Sequence, residues 1–268
     1  MTATRIGIVS GGAQGIGAAT AVRLAEDGVH VFVADVAVAR GLETCRAIKE
    51  AGGEATFLEG DVLFAPDGPS RIVDRILDQT DGQLDVVVNN AFAFERGGTL
   101  AEVPADAFTA DLQQLVVSYH SMIISAHSAL SRSPQPAIVN LASIRGFHTG
   151  VGFGTYSVAK AAVAQLTRVY AQELGEAGIR VNAVAPGVIG TARTMSTAQH
   201  HRDRVASFTP LRRIGTPDDV ARAITFLASP AASFITGQVL AIDGGLTLPL
   251  HTDSVNLGLA FEAGQSEA

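Results

Sequence analysis

The chain has 268 residues, 47% of them hydrophobic and 17% charged, with a formal net charge of −7. This length and balance fit one α/β domain with a large core and exclude a disordered chain. An acidic chain without a Lys/Arg-rich run argues against nucleic acid and anionic membrane partners, and no apolar stretch reaches the ~20 residues needed to span a bilayer.

Met1-Thr2-Ala3-Thr4-Arg5 leads directly into strand-like sequence, with no signal-peptide layout. Cys45 is the only cysteine, so no internal disulfide can form, and a cytoplasmic location is expected. Short apolar runs then alternate with helical patterns, which predicts a single doubly wound parallel sheet of about seven strands with helices on both faces, a Rossmann-type domain. Strands are expected at 5–9, 30–34, 54–58, 84–88, 136–142, 179–185 and 238–242. Helices are expected at 15–27, 38–51, 68–80, 104–131, 155–176 and 217–228.

The first strand runs into Ser10-Gly11-Gly12-Ala13-Gln14-Gly15-Ile16-Gly17, and a helix follows. Glycines between a strand and a helix let the backbone turn tightly and let a pyrophosphate approach the helix N-terminus. An ordinary tight turn is the competing reading of this loop taken alone. The second strand ends at Asp35, 18 residues after Gly17, near the spacing for a carboxylate on the adenosine ribose. Such a carboxylate would repel a 2′-phosphate. No Lys or Arg lies between Gly11 and Gly17, and Arg40 is expected to sit too far into the next helix to matter, so NAD is expected over NADP. A helix N-cap is the alternative role for Asp35.

Further along, the apolar run Ala137-Ile138-Val139-Asn140-Leu141-Ala142 ends at Ser143, thirteen residues before Tyr156. Tyr156 and Lys160 are four apart on a helix and share a face. A free phenol, with pKa near ~10, is a poor acid-base catalyst at neutral pH, and a nearby ammonium favours its ionised form. With Ser143 holding a substrate oxygen, this is equipment for alcohol–ketone interconversion if a cofactor carries the hydride. Residues 188–216 form a longer connection than usual and are expected to be a lid or substrate loop. The chain beyond Gly245, about residues 246–268, is expected to be an extension with a frayed end.

Together these features resemble the short-chain dehydrogenase/reductase family over residues 5–245. The glycine loop is similar to its TGxxxGxG motif, with Ser10 for Thr. The resemblance adds Asp61-Val62 at the adenine, Asn89-Asn90-Ala91 after the fourth strand, and Pro186-Gly187-Val188-Ile189-Gly190-Thr191 at the nicotinamide end. Asp243-Gly244-Gly245 resembles a closing motif. It implies a cofactor set of Gly11, Gln14, Gly15, Ile16, Gly17, Asp35, Asp61, Val62, Asn89, Ala91, Tyr156, Lys160, Pro186, Gly187, Ile189 and Thr191. Tyr156 would be the general acid or base, Lys160 would lower its pKa and hold the nicotinamide ribose, and Ser143 would orient the substrate.

Two positions depart from the family pattern. Ser118 stands where the family has an asparagine associated with a bound water that connects the lysine to solvent. A hydroxyl offers one donor where an amide offers two, so a working but retuned proton relay is expected. Phe92 replaces a glycine, and its ring either walls the substrate pocket with Phe94 or packs under the next loop.

Family topology puts Ile144, Arg145, Phe147, His148, Phe153, Val188 and Met195 beside the substrate too, which suggests a bulky, apolar or cyclic alcohol or ketone. Arg145 could pair with a substrate carboxylate, but solvent is favoured for a lone loop arginine. His148 is a second acid-base group or a rim residue. No metal site is expected, because the histidines lack a third ligand. A homotetramer or dimer through the long helices at 104–131 and 155–176 is implied by the family. The rival readings are a 3-oxoacyl thioester reductase and a non-catalytic dinucleotide-binding sensor.

Overall fold

The computed structural model describes residues 4–65, 67–93, 99–150 and 152–248. Its strands are β1 (Arg5–Ser10), β2 (Val29–Asp35), β3 (Ala55–Glu59), β4 (Val86–Asn89), β5 (Ala137–Leu141), β6 (Arg180–Pro186) and β7 (Val239–Ile242). They form one parallel sheet in the order β3-β2-β1-β4-β5-β6-β7. The order reverses between β1 and β4, and a crevice at the carboxyl ends of the strands is expected there.

Alternation along the strands builds two cores. On β2, Phe32 and Ala34 face one side with Ile72, Ile76 and Met122, while Val31 and Val33 face the other with Leu24, Ile48 and Ile224. The first side is covered by α3 (Gly68–Leu77), α5 (Ser118–Leu130) and α6 (Gly154–Glu173). The second is covered by α1 (Gly15–Glu26), α2 (Val38–Glu50) and α9 (Pro217–Ala228). Truncating a fully buried ring such as Phe32 to alanine would cost ~3–5 kcal/mol. The start of α9 is written in its sequence: Thr216 and Asp219 form a reciprocal capping box, and Pro217 occupies the first turn.

Three polar side chains cross this apolar interior as a chain. Asn89 Nδ2 donates to Asn140 Oδ1 at 2.9 Å, and Asn140 Nδ2 donates to Thr167 Oγ1 at 3.0 Å. All three residues are buried, so the chain fixes β4, β5 and α6 against one another.

One expectation is corrected. The single helix expected at 104–131 is instead α4 (Ala105–Leu112), a π-helical turn at Gln113–Val117, and α5. The connection at 188–216 carries α7 (Ala192–Met195) and α8 (Gln199–Phe208). The connection is long because it holds these two short helices. Phe94 and most of the extension beyond residue 245 lie outside the described residues.

Candidate active site

The glycine loop closes over the end of β1. Gly11 and Gly15 have φ of +65° and +58°, in the region that only glycine occupies without strain. A Cβ at Gly17 would lie 2.0 Å from the Gly11 carbonyl oxygen, so this position admits glycine alone. Gln14 is the N-cap residue of α1 and Ile16 lies in its first turn. Ser10 and Asn90 brace the loop from beneath. Ser10 Oγ accepts from the Asn90 and Ala91 N–H groups at 3.0 and 3.2 Å, and Asn90 Nδ2 donates to the Ser10 and Gly11 carbonyls, each at 2.9 Å. Neither residue was singled out from sequence, although both lie inside the motifs; their buried hydroxyl and amide were the available signal.

The Asp35 carboxylate sits at the lip of this loop. It accepts from the Ala13 N–H at 3.0 Å and from the Ala37 N–H at 2.9 Å. Each oxygen retains a further lone pair for a ribose hydroxyl. The expectation that Arg40 lies too far away is corrected: its guanidinium donates to the Gln14 side chain, within the glycine loop. Arg40 is the third residue of α2, and its long stem carries the guanidinium back to the loop. Asp61 accepts from the Leu63 and Phe64 N–H groups at 2.9 and 3.0 Å, and Val62 is buried in the core. Asn89 turns its side chain to Asn140, into the sheet.

At the end of β6, Pro186 is buried, and a Cβ at Gly187 would meet Asp243 at 2.8 Å. Ile189 is buried and forms a bridge to Gly215. The Thr191 side chain lies close enough to Gly15 that a Cβ there would stand 3.4 Å from Thr191 Cγ2. The two segments expected at the cofactor thus meet. Glycine cradles that a Cβ would fill, with a carboxylate at their lip, fit a dinucleotide.

At the end of β5, Ser143 caps a short 3₁₀ turn at Ile144–Gly146, its Oγ accepting from the Arg145 N–H at 3.1 Å. The Tyr156 phenol is hydrogen-bonded to Ser143. A Cβ at Gly146 would stand 2.9 Å from the Lys160 carbonyl, so a glycine lets the serine turn close onto α6. Lys160 is 1% exposed, and its Nζ donates to the Leu141 carbonyl at 2.6 Å. Rings of Tyr119, Phe92 and Tyr156 surround that Nζ at 5.3, 5.7 and 5.8 Å from their centroids. Phe92 therefore lies against the Tyr156–Lys160 pair, its ring 6.4 Å from that of Tyr156 and 41% exposed.

The electrostatics differ from the sequence expectation. Burial pushes the Tyr156 phenol up from its ordinary value, outweighing the Ser143 hydrogen bond and the charges of Arg193 and Arg145, which pull it down. Burial also pushes the Lys160 ammonium down to about 7. The lysine is thus a weak source of positive charge near neutral pH, and its expected lowering of the tyrosine is not seen in this geometry.

Ser118 follows the π-turn directly and is buried. Its hydroxyl donates to the Gln114 carbonyl at 2.5 Å, so its one proton donor is engaged within its own helix. Next to it, Tyr119 is buried among apolar groups, and among the described residues its hydroxyl has no hydrogen-bond partner. Of the expected pocket residues, Arg145 packs its guanidinium 4.2 Å from the Phe153 ring centroid, while Phe147 and His148 meet edge to face. Phe147, Phe153 and Met195 are exposed at the surface and Val188 is half-buried.

Known proteins resemble this chain along most of its length. The family profile described as enoyl-(acyl carrier protein) reductase matches residues 11–247. A cis-4-hydroxycyclohexanecarboxylate dehydrogenase of Sinomonas cyclohexanicum is 39% identical, covering 91% of this chain and 97% of the relative. A 3-oxoacyl-[acyl-carrier-protein] reductase of Thermotoga maritima is 33% identical, covering 91% and 98%. Among solved structures, a Serratia marcescens short-chain dehydrogenase/reductase double mutant superposes with a TM-score of 0.83 at 28% identity, covering 90% of this chain and 97% of that one. YwfH, an NADPH-dependent reductase of bacilysin biosynthesis, gives 0.86 at 28% identity, covering 92% and 100%. With the parallel sheet, the glycine loop and the Ser143, Tyr156 and Lys160 cluster already in place, these likenesses make the chain a member of the short-chain dehydrogenase/reductase family of oxidoreductases.

Proposed function

We propose that the chain is an NAD-dependent enzyme that interconverts a secondary alcohol and its ketone, on a bulky, mainly apolar or cyclic skeleton. The observation that carries this reading is the hydrogen-bonded Ser143 and Tyr156 pair, one helical turn from Lys160 and set against the dinucleotide cradle. Bound NAD supplies the hydride acceptor. Ser143 holds the substrate oxygen, and Tyr156 takes the hydroxyl proton in oxidation and returns it in reduction. Lys160 holds the nicotinamide ribose, while the Ser143 hydrogen bond and the charges of Arg193 and Arg145 favour the phenolate against its burial. Asp35 favours NAD by repelling a 2′-phosphate, against the counter-pull of Arg40.

A cyclic substrate is supported by the ring alcohol named for the Sinomonas relative and by the aromatic surface of Phe92, Phe147 and Phe153. The 3-oxoacyl thioester alternative is supported by the Thermotoga relative, while the −7 charge disfavours docking to an acidic carrier. A pure sensor would have no need of the Ser143, Tyr156 and Lys160 set.

On α5 and α6, Ile123 and Val163 are buried, whereas Ile124 and Val169 are exposed, which supports assembly of copies through that outer face. Among the described residues no helix is long and apolar enough to cross a membrane. The buried free thiol of Cys45 fits the cytoplasm.

The test is nicotinamide absorbance with a panel of cyclic secondary alcohols, using NAD and NADP in parallel. Tyr156→Phe should lower turnover by ~10²–10⁴-fold while NADH binding persists. A variant that turns over normally would remove the proposed acid-base role.

A further inference from the structure

The candidate is the Arg145 guanidinium. Among the described residues, five arginines are half-buried: Arg5, Arg23, Arg145, Arg180 and Arg202. Four of them have hydrogen-bonded guanidinium groups: Arg5 to the Ala228 carbonyl, Arg23 to Asp218, Arg180 to the Leu227 carbonyl and Arg202 to the Met195 carbonyl. Arg145 is the exception. Among the described residues the Phe153 ring lies 4.2 Å below its guanidinium carbon, and no carboxylate or carbonyl engages its donors. Stacking satisfies the face of a guanidinium and leaves its in-plane N–H fork open.

Its position is fixed from several sides. The backbone N–H of Arg145 donates to Ser143 Oγ, so the residue is tied to the proposed catalytic serine. Gly150 makes room for the side chain: a Cβ there would stand 2.8 Å from Arg145 Nη1. The Arg145 charge also acts on the Tyr156 phenol, after that of Arg193. The rest of the rim carries exposed apolar rings, Phe92, Phe147 and Phe153, and Arg193 is the other arginine whose charge reaches the phenol.

We propose that Arg145 is an anion-binding subsite, and that the preferred substrate is a ring alcohol carrying a carboxylate, bound through the open guanidinium fork while its carbinol faces Ser143 and Tyr156. The inference rests on the alcohol–ketone reading above. A planar fork matches a carboxylate with two parallel hydrogen bonds, and a partly desolvated pair of this kind discriminates strongly against a neutral isostere. Arg145 then serves the substrate and not solvent.

The test uses the full chain saturated with NADH and reads binding by calorimetry, so that it does not depend on turnover. Cyclohexanecarboxylate and cyclohexanecarboxamide are titrated into wild type, Arg145→Gln and Arg145→Lys. Wild type should favour the carboxylate by about 10- to 100-fold. Arg145→Gln should collapse that ratio toward one, and Arg145→Lys should restore part of it, because charge returns without the fork. Equal binding of acid and amide to wild type, no binding of either, or a preference that survives Arg145→Gln would each overturn the proposal. In parallel, turnover is compared for a ring alcohol bearing a carboxylate and its carboxamide. Turnover lost in Tyr156→Phe, with no carboxylate preference, would remove the anion subsite alone. Carboxylate binding through Arg145 without alcohol turnover would remove the alcohol–ketone reading alone.

Discussion

The two ends of the crevice are built from different materials. The glycine loop with Asp35 is mainly backbone: positive-φ glycines, N–H groups and one carboxylate held by the Ala13 and Ala37 N–H groups. The Ser143, Tyr156 and Lys160 end is made of side chains whose protonation follows their burial. Backbone geometry at the first end is set by which residues fit. Reactivity at the second end is set by the surroundings, which the three residues do not specify themselves. This comparison can be tested from both ends.

The largest effect is expected from Gly17→Ala. One added methyl meets the Gly11 carbonyl at 2.0 Å, and backbone cannot yield as a side chain can. Dinucleotide binding should weaken by about 100-fold or more, measured by NADH fluorescence titration. Binding within a few-fold of wild type would mean the loop is more pliant than this geometry allows.

Asp35→Ser comes next. Removing the carboxylate leaves Arg40 beside Gln14 as the nearest charge, so kcat/KM with NADP relative to NAD should rise about 10- to 100-fold. Asp35→Ser combined with Arg40→Ala should gain less. An unchanged cofactor ratio in the single variant would remove Asp35 as the discriminator.

At the side-chain end, Lys160 makes stability depend on pH. Its folded value, about 7, lies below the ordinary 10.5. Between those values the unfolded chain holds the proton and the folded chain does not, so this group makes unfolding free energy rise with pH. Its cost to the fold is largest below pH 7 and fades toward pH 10.5. Lys160→Met should therefore be more stable than wild type at pH 7, with a margin that shrinks on raising pH, followed by urea denaturation. A margin independent of pH would mean that the amine is not titrating in this way.

The smallest effect is at Tyr119. A buried hydroxyl without a partner costs stability, so Tyr119→Phe should stabilise the protein by ~1 kcal/mol, read as a rise in urea midpoint. A loss of stability would mean that the hydroxyl is satisfied in solution.

The same contrast explains what was legible in the sequence. The strands, the glycine loop, the place of Ser143 and the Tyr156–Lys160 pair follow from short apolar runs, glycine sterics, the end of one such run and a four-residue spacing along one helix. The turn of Lys160 toward Leu141 was not legible, because the competitor is a main-chain carbonyl nineteen residues away. Phe92 beside Tyr156 and Arg40 beside Gln14 are likewise tertiary placements of long or large side chains. The stacking of Arg145 on Phe153 likewise leaves no trace in local sequence. The π-turn went unseen for a different reason: Gln113-Gln114-Leu115-Val116-Val117 contains neither proline nor glycine.

That turn has a consequence for how the chain could change by insertion or deletion. A π-helical turn is one extra residue absorbed without breaking the helix. Excising a single residue from 113–117 would restore an even helical phase and rotate everything before it by about 100° relative to α5. Asp111, buried at present, would leave its face, and the phase slip that sets α4 against α6 would be gone. The helix thus carries a vernier, by which a one-residue change in length would be read as a change in direction.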